Sequence, residues 1–259
     1  MNEVFIVDTH AHLDMINDGT ETGLILETAR ESGVGAVISV GIDLESSKKA
    51  TDFSKRYQGV YAAVGIHPND ASDFTESNIK SLLSLAAKER TVAWGEIGLD
   101  YYRKHTSVSR QRAVFEAQLE VAASLAMPVI IHDRDAHDDC LAILRSFLKT
   151  SELGGVFHCF SGDISIARRV LDLGFFLSFT GVITFPRAKE AVEVVAFAPA
   201  DRIMVETDSP FLSPVPFRGK TNEPARARVV AEKMAEIRGT SLEEMAKCTT
   251  RNAKDLFGL

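Results

Sequence analysis

Histidines and carboxylates recur in this sequence at the ends of short apolar runs, an arrangement suited to binding divalent cations. His10 and His12 stand one residue apart in VDTHAH. Alternate residues of a strand point the same way, so the pair can present two imidazoles to one ion. Taken alone, two histidines in a loop making ordinary hydrogen bonds would read the same. Glu96 closes VAWGE, His132 closes PVIIH, His158 closes GVFH and Asp208 closes RIMVETD. Recurrence at the same place in separate segments favours a metal centre. Four imidazoles and two carboxylates exceed the four ligands of one tetrahedral ion. They suit two divalent cations sharing a carboxylate, and Glu96, near the middle of the series, has two oxygens to share. Two cations about 3.5–4 Å apart can activate a water and hold a phosphoryl or carbonyl oxygen. Nitrogen and oxygen ligands without thiolate fit Mg, Mn or Zn alike. Cys159 follows His158 directly, so on a strand it points the opposite way and is expected to pack.

The elements that must carry these residues alternate along the chain. Eight largely apolar runs begin at Val4, Ala36, Val60, Val92, Pro128, Gly155, Gly174 and Arg202. Continuous apolar runs suit parallel strands covered on both faces. Helical patterns lie between them, most clearly from Ser107 to Ala126, where Val114, Leu119, Val121 and Leu125 share an apolar flank. Pro224 suits the first turn of the helix running to Arg238. Eight strand–helix units without a Pro/Gly/Ser linker predict a single (β/α)8 TIM barrel over residues 1–259, with its site at the C-terminal strand ends. The rival, an open doubly wound sheet, often carries a glycine-rich phosphate loop after its first strand, where DTHAHLD stands instead. Five of the seven histidines fall at strand ends, His67 among them, whereas His105 and His137 read as surface residues.

Composition narrows the function. The 259 residues are 45% apolar and 25% charged, an ordinary globular balance that argues against disorder. No apolar run nears the ~20 residues that cross a bilayer, so no membrane partner is expected. MNEVFIVDTH lacks a basic n-region and a long apolar stretch, so no secretory signal is expected. Three cysteines without paired spacing point to the reducing cytoplasm. The charge of −7 argues against a broad basic surface for nucleic acid, although bound cations can attract phosphate locally.

The motifs IVDTHAHLD, GIHP, GEIGLDYY, PVIIHDRDAHDD, VETDSPFL and RGKTNEP resemble, in order, those of the TatD family of metal-dependent deoxyribonucleases, within the amidohydrolase-like barrels. The resemblance covers nearly the whole chain. It implies that His10 and His12 hold a first cation, His132 and His158 a second, and Glu96 both. Asp208 would bind the first cation and take the attacking water's proton, with His67 beside the substrate.

The expected activity is therefore hydrolysis of DNA phosphodiesters at single-stranded or frayed ends, as a 3'-5' exonuclease, with DNA degradation or repair as its setting. Arg134 and Arg218 are candidate phosphate contacts, together with Arg103, Lys104 and Lys220. Tyr101 and Tyr102 could stack on a base or pack at the rim. Asp8, Asp100 and Glu206 are candidates to orient the ligands. Two other functions share the motifs: a small-molecule amidohydrolase or esterase, including a D-aminoacyl-tRNA deacylase, and a non-catalytic nucleic-acid-binding protein on a retained barrel.

Overall fold

The structure is a computed structural model that describes residues 4–16, 21–103 and 105–259. Eight parallel strands run in chain order: β1 (Ile6–Ala11), β2 (Val34–Val40), β3 (Val60–Val64), β4 (Thr91–Asp100), β5 (Val129–Arg134), β6 (Gly155–Phe157), β7 (Phe176–Phe179) and β8 (Ile203–Val205). Helices α1 (Thr22–Glu31), α2 (Leu44–Arg56), α3 (Glu76–Ala86), α4 (Val108–Ser124), α5 (His137–Phe147), α6 (Ile164–Asp172), α7 (Lys189–Phe197) and α8 (Ala227–Arg238) follow the strands in turn, and α9 (Leu242–Phe257) follows α8. The sheet closes on itself where β8 meets β1. His12 N–H donates to Ser209 O at 2.7 Å and Asp208 N–H to His10 O at 2.9 Å. The alternation of strands and helices therefore produces the barrel that the sequence predicts.

Side-chain alternation divides the core into two layers. Val7, Ile38, Ala63, Ile130, Val156 and Met204 pack inside the barrel, where Phe257 of α9 joins them. Their neighbours Val37, Val64, Ile131, Phe157 and Val205 face outward into the larger cluster that includes helix residues. His10, Glu96, His132 and His158 extend the barrel interior upward, where apolar filling gives way to polar groups.

Local sequence fixes the helix starts. Asp43 and Ser241 form capping boxes with Ser46 and Glu244, while Ser107 and Asp163 cap α4 and α6. Three strands are shorter than their apolar runs suggest, β3 ending at Val64, before His67. β6 ends at Phe157 and β8 at Val205, and the chain then turns through positive φ at Cys159 (44°) and Asp208 (54°). Non-glycine residues rarely take that conformation, and functional sites concentrate it.

Candidate metal centre

β1 delivers His10 and His12 to the same place, as its alternation requires. Their Nε2 atoms lie 3.2 Å apart. His12 Nδ1–H donates to Val40 O at 3.0 Å, so in the neutral ring Nε2 keeps its lone pair. Around this pair stand Glu96 Oε2, 3.5 Å from His10 Nε2 and 3.7 Å from His12 Nε2, and Asp208 Oδ1, 3.8 and 3.5 Å from the same atoms. Ligands about 2.0–2.1 Å from a tetrahedral ion sit about 3.3 Å from one another. Each of these two carboxylate oxygens therefore stands from the two imidazole nitrogens at nearly the spacing of one coordination shell.

The other oxygen of Glu96 serves a second group. Oε1 lies 2.6 Å from His132 Nδ1 and 2.9 Å from His158 Nε2, and those two nitrogens are 3.4 Å apart. In both trios, His10–His12–Glu96 and Glu96–His132–His158, all donor atoms fall within 4.8 Å of one another. The residues fit divalent cations on two counts. The donors are imidazoles and carboxylates without thiolate, and the two oxygens of one buried carboxylate address separate histidine pairs.

Further carboxylates stand at ion-pair distance behind these rings, whose far nitrogens make no hydrogen bond among the described residues. Asp100 Oδ2 lies 3.4 Å from His132 Nε2, while Asp100 Oδ1 accepts the backbone N–H groups of Tyr102 and Arg103. Glu206 Oε1 lies 3.4 Å from His158 Nδ1 and accepts Cys159 N–H, while Oε2 accepts the Ser178 hydroxyl. A carboxylate behind a ligating imidazole fixes its ring and tautomer. Asp8 does something different. Its carboxylate accepts the hydroxyl and N–H of Thr207 and the N–H of His10, which clamps β1 to the chain leaving β8. Burial raises the Asp8 pKa to about 8.

The protonation pattern follows from proximity. Burial opposes charge on Glu96, but His158 and His67 beside it, with hydrogen bonds from His10 and His132, hold it well below the usual carboxylate range. Burial also opposes charge on His158, yet Glu96 and Glu206 raise it well above the usual imidazole range. His67 goes the other way: burial and then the neighbouring His132 lower it to about 3. His67 Nδ1 accepts Asn69 N–H at 3.1 Å, so the neutral ring carries its proton on Nε2, 3.6 Å from Glu96 Oε1.

The centre lies in an open cavity of about 650 Å³. Met15, Ile42, Val182, Phe211 and Leu212 make its apolar lining, and Arg103, His105 and Arg134 add cationic or titratable groups. Arg134 lies 4.1 Å over the Tyr102 ring. Arg218 does not line the cavity. It is exposed on the rim and lies 3.8 Å over the Phe185 ring. Tyr101 turns away from the site to donate its hydroxyl to Asp139, and Lys104 is outside the described residues.

Residues 7–258 match the model of the family described as TatD related DNase. The chain belongs to the TatD family. It is 42% identical over 252 residues to an uncharacterized metal-dependent hydrolase, YabD, of Bacillus subtilis, covering 97% of this chain and 98% of that one. It is 36% identical over 240 residues to a protein of Klebsiella pneumoniae named 3'-5' ssDNA/RNA exonuclease TatD, covering 91% of each. The crystal structure of YjjV, a TatD homolog from Escherichia coli, superposes with a TM-score of 0.91 at 31% identity over 98% of each chain. The chain is thus a TatD-family metal-dependent hydrolase, with clustered histidines and carboxylates able to bind metal.

The TatD barrel also uses residues that their types alone do not announce. His105 lines the cavity despite reading as a surface residue. Cys159 lines it too, since positive φ breaks the strand alternation that would have turned it away. Burial, with Asp208 nearby, pushes that thiol up to about 12. Asn69 donates to Asp100 at 3.0 Å, and Ser178 holds Glu206 at 2.6 Å. Phe211 presents a 47% exposed ring beside His12. Its place in VETDSPFL, just after Asp208, was the available signal.

Proposed function

We propose that this protein is a two-cation phosphodiesterase that removes nucleotides from single-stranded DNA ends, as a 3'-5' exonuclease. The observation that carries the reading is Glu96, whose two oxygens face different histidine pairs. In this reading His10, His12, Glu96 and Asp208 hold one cation, and Glu96, His132 and His158 the other. Divalent cations bound there would acidify a water and offset charge on phosphoryl oxygens.

The chain's own groups do the rest. Asp208 stands at the cavity wall with its carboxylate held ionised against burial by His12, His158 and His10, so it can accept the water's proton. His67 offers a neutral Nε2–H to a substrate oxygen. Arg134, steadied by Tyr102, supplies a cation for a phosphate inside the cavity, and Arg218 supplies one at the rim. The apolar wall around Phe211 and Leu212 suits the face of an unpaired base, which stacking accepts with little regard to sequence. The relative named an ssDNA/RNA exonuclease supports this substrate class.

The test is an end-labelled panel. Protein reconstituted with Mg²⁺, Mn²⁺ or Zn²⁺ should shorten a single-stranded DNA from one end, and a folded Asp208→Ala protein should not. Turnover of acyl esters or aminoacyl-tRNA with no DNA cleavage would replace the nuclease reading by the esterase one. Tight DNA binding with no turnover of any substrate would replace it by a binding role.

A further inference from the structure

Two segments beyond β7 and β8, bordered by Glu190, Asp208 and Glu223, carry a charge pattern opposite to that of the molecule. Residues 181–189 (GVITFPRAK) and 209–222 (SPFLSPVPFRGKTN) contain four Lys or Arg and no Asp or Glu, in a chain whose net charge is −7. Arg187, Lys189, Arg218 and Lys220 are all exposed, and none lines the cavity. The two loops form one surface. Val215 N–H donates to Thr184 Oγ1 at 2.9 Å, and Arg218 lies over Phe185 at 3.8 Å. A Cβ on Gly181 would come within 2.4 Å of Leu212 O, so the backbones touch and only glycine fits there.

These loops also supply Val182, Phe211 and Leu212 to the cavity wall. The surface therefore runs without a break from the apolar wall beside the metal centre to a basic rim. Along it lie aromatic and apolar side chains: Phe211 (47% exposed), Val215 (41% exposed), half-buried Phe217, and half-buried Phe185 beneath its arginine. Cations interleaved with aromatic rings are the recognition chemistry of an unpaired nucleic-acid strand, with backbone phosphates meeting the charges and bases meeting the rings. Protein partners of a basic patch would need only the charges.

We infer that the β7 and β8 loops form an exosite that holds the single-stranded nucleic acid beyond the nucleotide seated in the cavity. The inference rests on the nuclease reading for the direction of the strand and adds a length dependence to it. Substrates long enough to leave the cavity gain the rim contacts, whereas a dinucleotide does not reach them.

The experiment compares the wild-type protein with an Arg187→Gln/Lys189→Gln double variant, both positions exposed and outside the cavity. Two probes are used, a dinucleotide and an oligothymidylate of about 12 nucleotides, a length within the span of single-strand sites. Binding is measured by competition anisotropy on chelator-treated protein, and kcat/KM on metal-loaded protein. The wild type should prefer the longer probe in both measurements. The variant should lose roughly tenfold of that preference at low salt, with the dinucleotide values unchanged. Its slope of log K against log salt should fall by about 0.7 for each contact removed. An unchanged preference and salt slope, or an equal loss on both probes, would overturn the exosite. Binding decides this whether or not cleavage is seen, so a failure of the nuclease reading is separately visible as wild-type protein that cuts neither probe.

Discussion

At the scale of single residues, the site depends on carboxylates placed behind imidazoles. Asp100 is the clearest case. It reaches His132 Nε2 at 3.4 Å, and its other oxygen is fixed by two backbone N–H groups. Asp100→Asn should keep the fold and weaken metal binding by roughly 10–100-fold, as loss of such partners generally does. Calorimetric titration of the metal-free protein would show it, and wild-type affinity in the variant would remove Asp100 from the centre. The ligand candidates were legible because histidine, glutamate and aspartate are conspicuous at the ends of apolar runs. The groups that hold them were less so. Val40 contributes a carbonyl, Asn69 an amide and Ser178 a hydroxyl, none of which differs in sequence from a surface or core residue. Cys159 defeated strand alternation because the turn that redirects it is a matter of φ, not residue type.

At the scale of elements, two features couple strands to the centre. Gly98 sits in β4 between Glu96 and Asp100 with φ of 141°, and a Cβ there would lie 2.0 Å from His132 O. Gly98→Ala must push β4 from β5, moving the Glu96 carboxylate relative to His132. We expect a loss of stability of about 1–3 kcal/mol together with weakened metal binding, measured by denaturant unfolding and metal titration. Unchanged metal affinity would show that the strands adjust without disturbing the site. The start of α5 carries the second feature. His137 Nδ1–H donates to Asp133 Oδ2 at 2.7 Å, and this bond raises the imidazole above its ordinary 6.5 against partial burial. A raised folded value means stability fully present below the unfolded pKa and lost as pH rises through the folded one. His137→Asn should therefore cost about 1 kcal/mol near pH 6 and little near pH 9, read from urea midpoints at both. Equal costs at both pH values would show that the pair does not titrate. Sequence patterning located α4 and α8 to within a few residues but overran β3, β6 and β8, because apolar character continues after the backbone leaves the sheet.

At the scale of the whole molecule, barrel closure brings together residues separated by almost two hundred positions. Thr207 Oγ1–H donates to Asp8 Oδ2 at 2.6 Å across that seam. The strand–helix alternation made this closure legible in advance. The distribution of charge was not legible from its total, since a net −7 conceals two segments, 181–189 and 209–222, whose charged residues are all basic. Ligands that bind only the folded state stabilise it, by about 2.7 kcal/mol at a concentration 100 times the dissociation constant. Saturating metal should therefore raise the unfolding temperature by roughly 5–10 °C over chelator-treated protein, at about 2–4 °C per kcal/mol for a chain of this size. A scan with no shift would mean that no cation binds the native barrel.

In the proposed centre, six side chains hold two cations joined through Glu96. Metal stoichiometry, measured by elemental analysis after saturation and desalting on the wild type and on a folded Glu96→Gln variant, reads out that arrangement. About two equivalents of divalent metal per wild-type chain and a marked loss in the variant are expected. A wild type that retains no metal, or a variant that retains both equivalents, would contradict that arrangement.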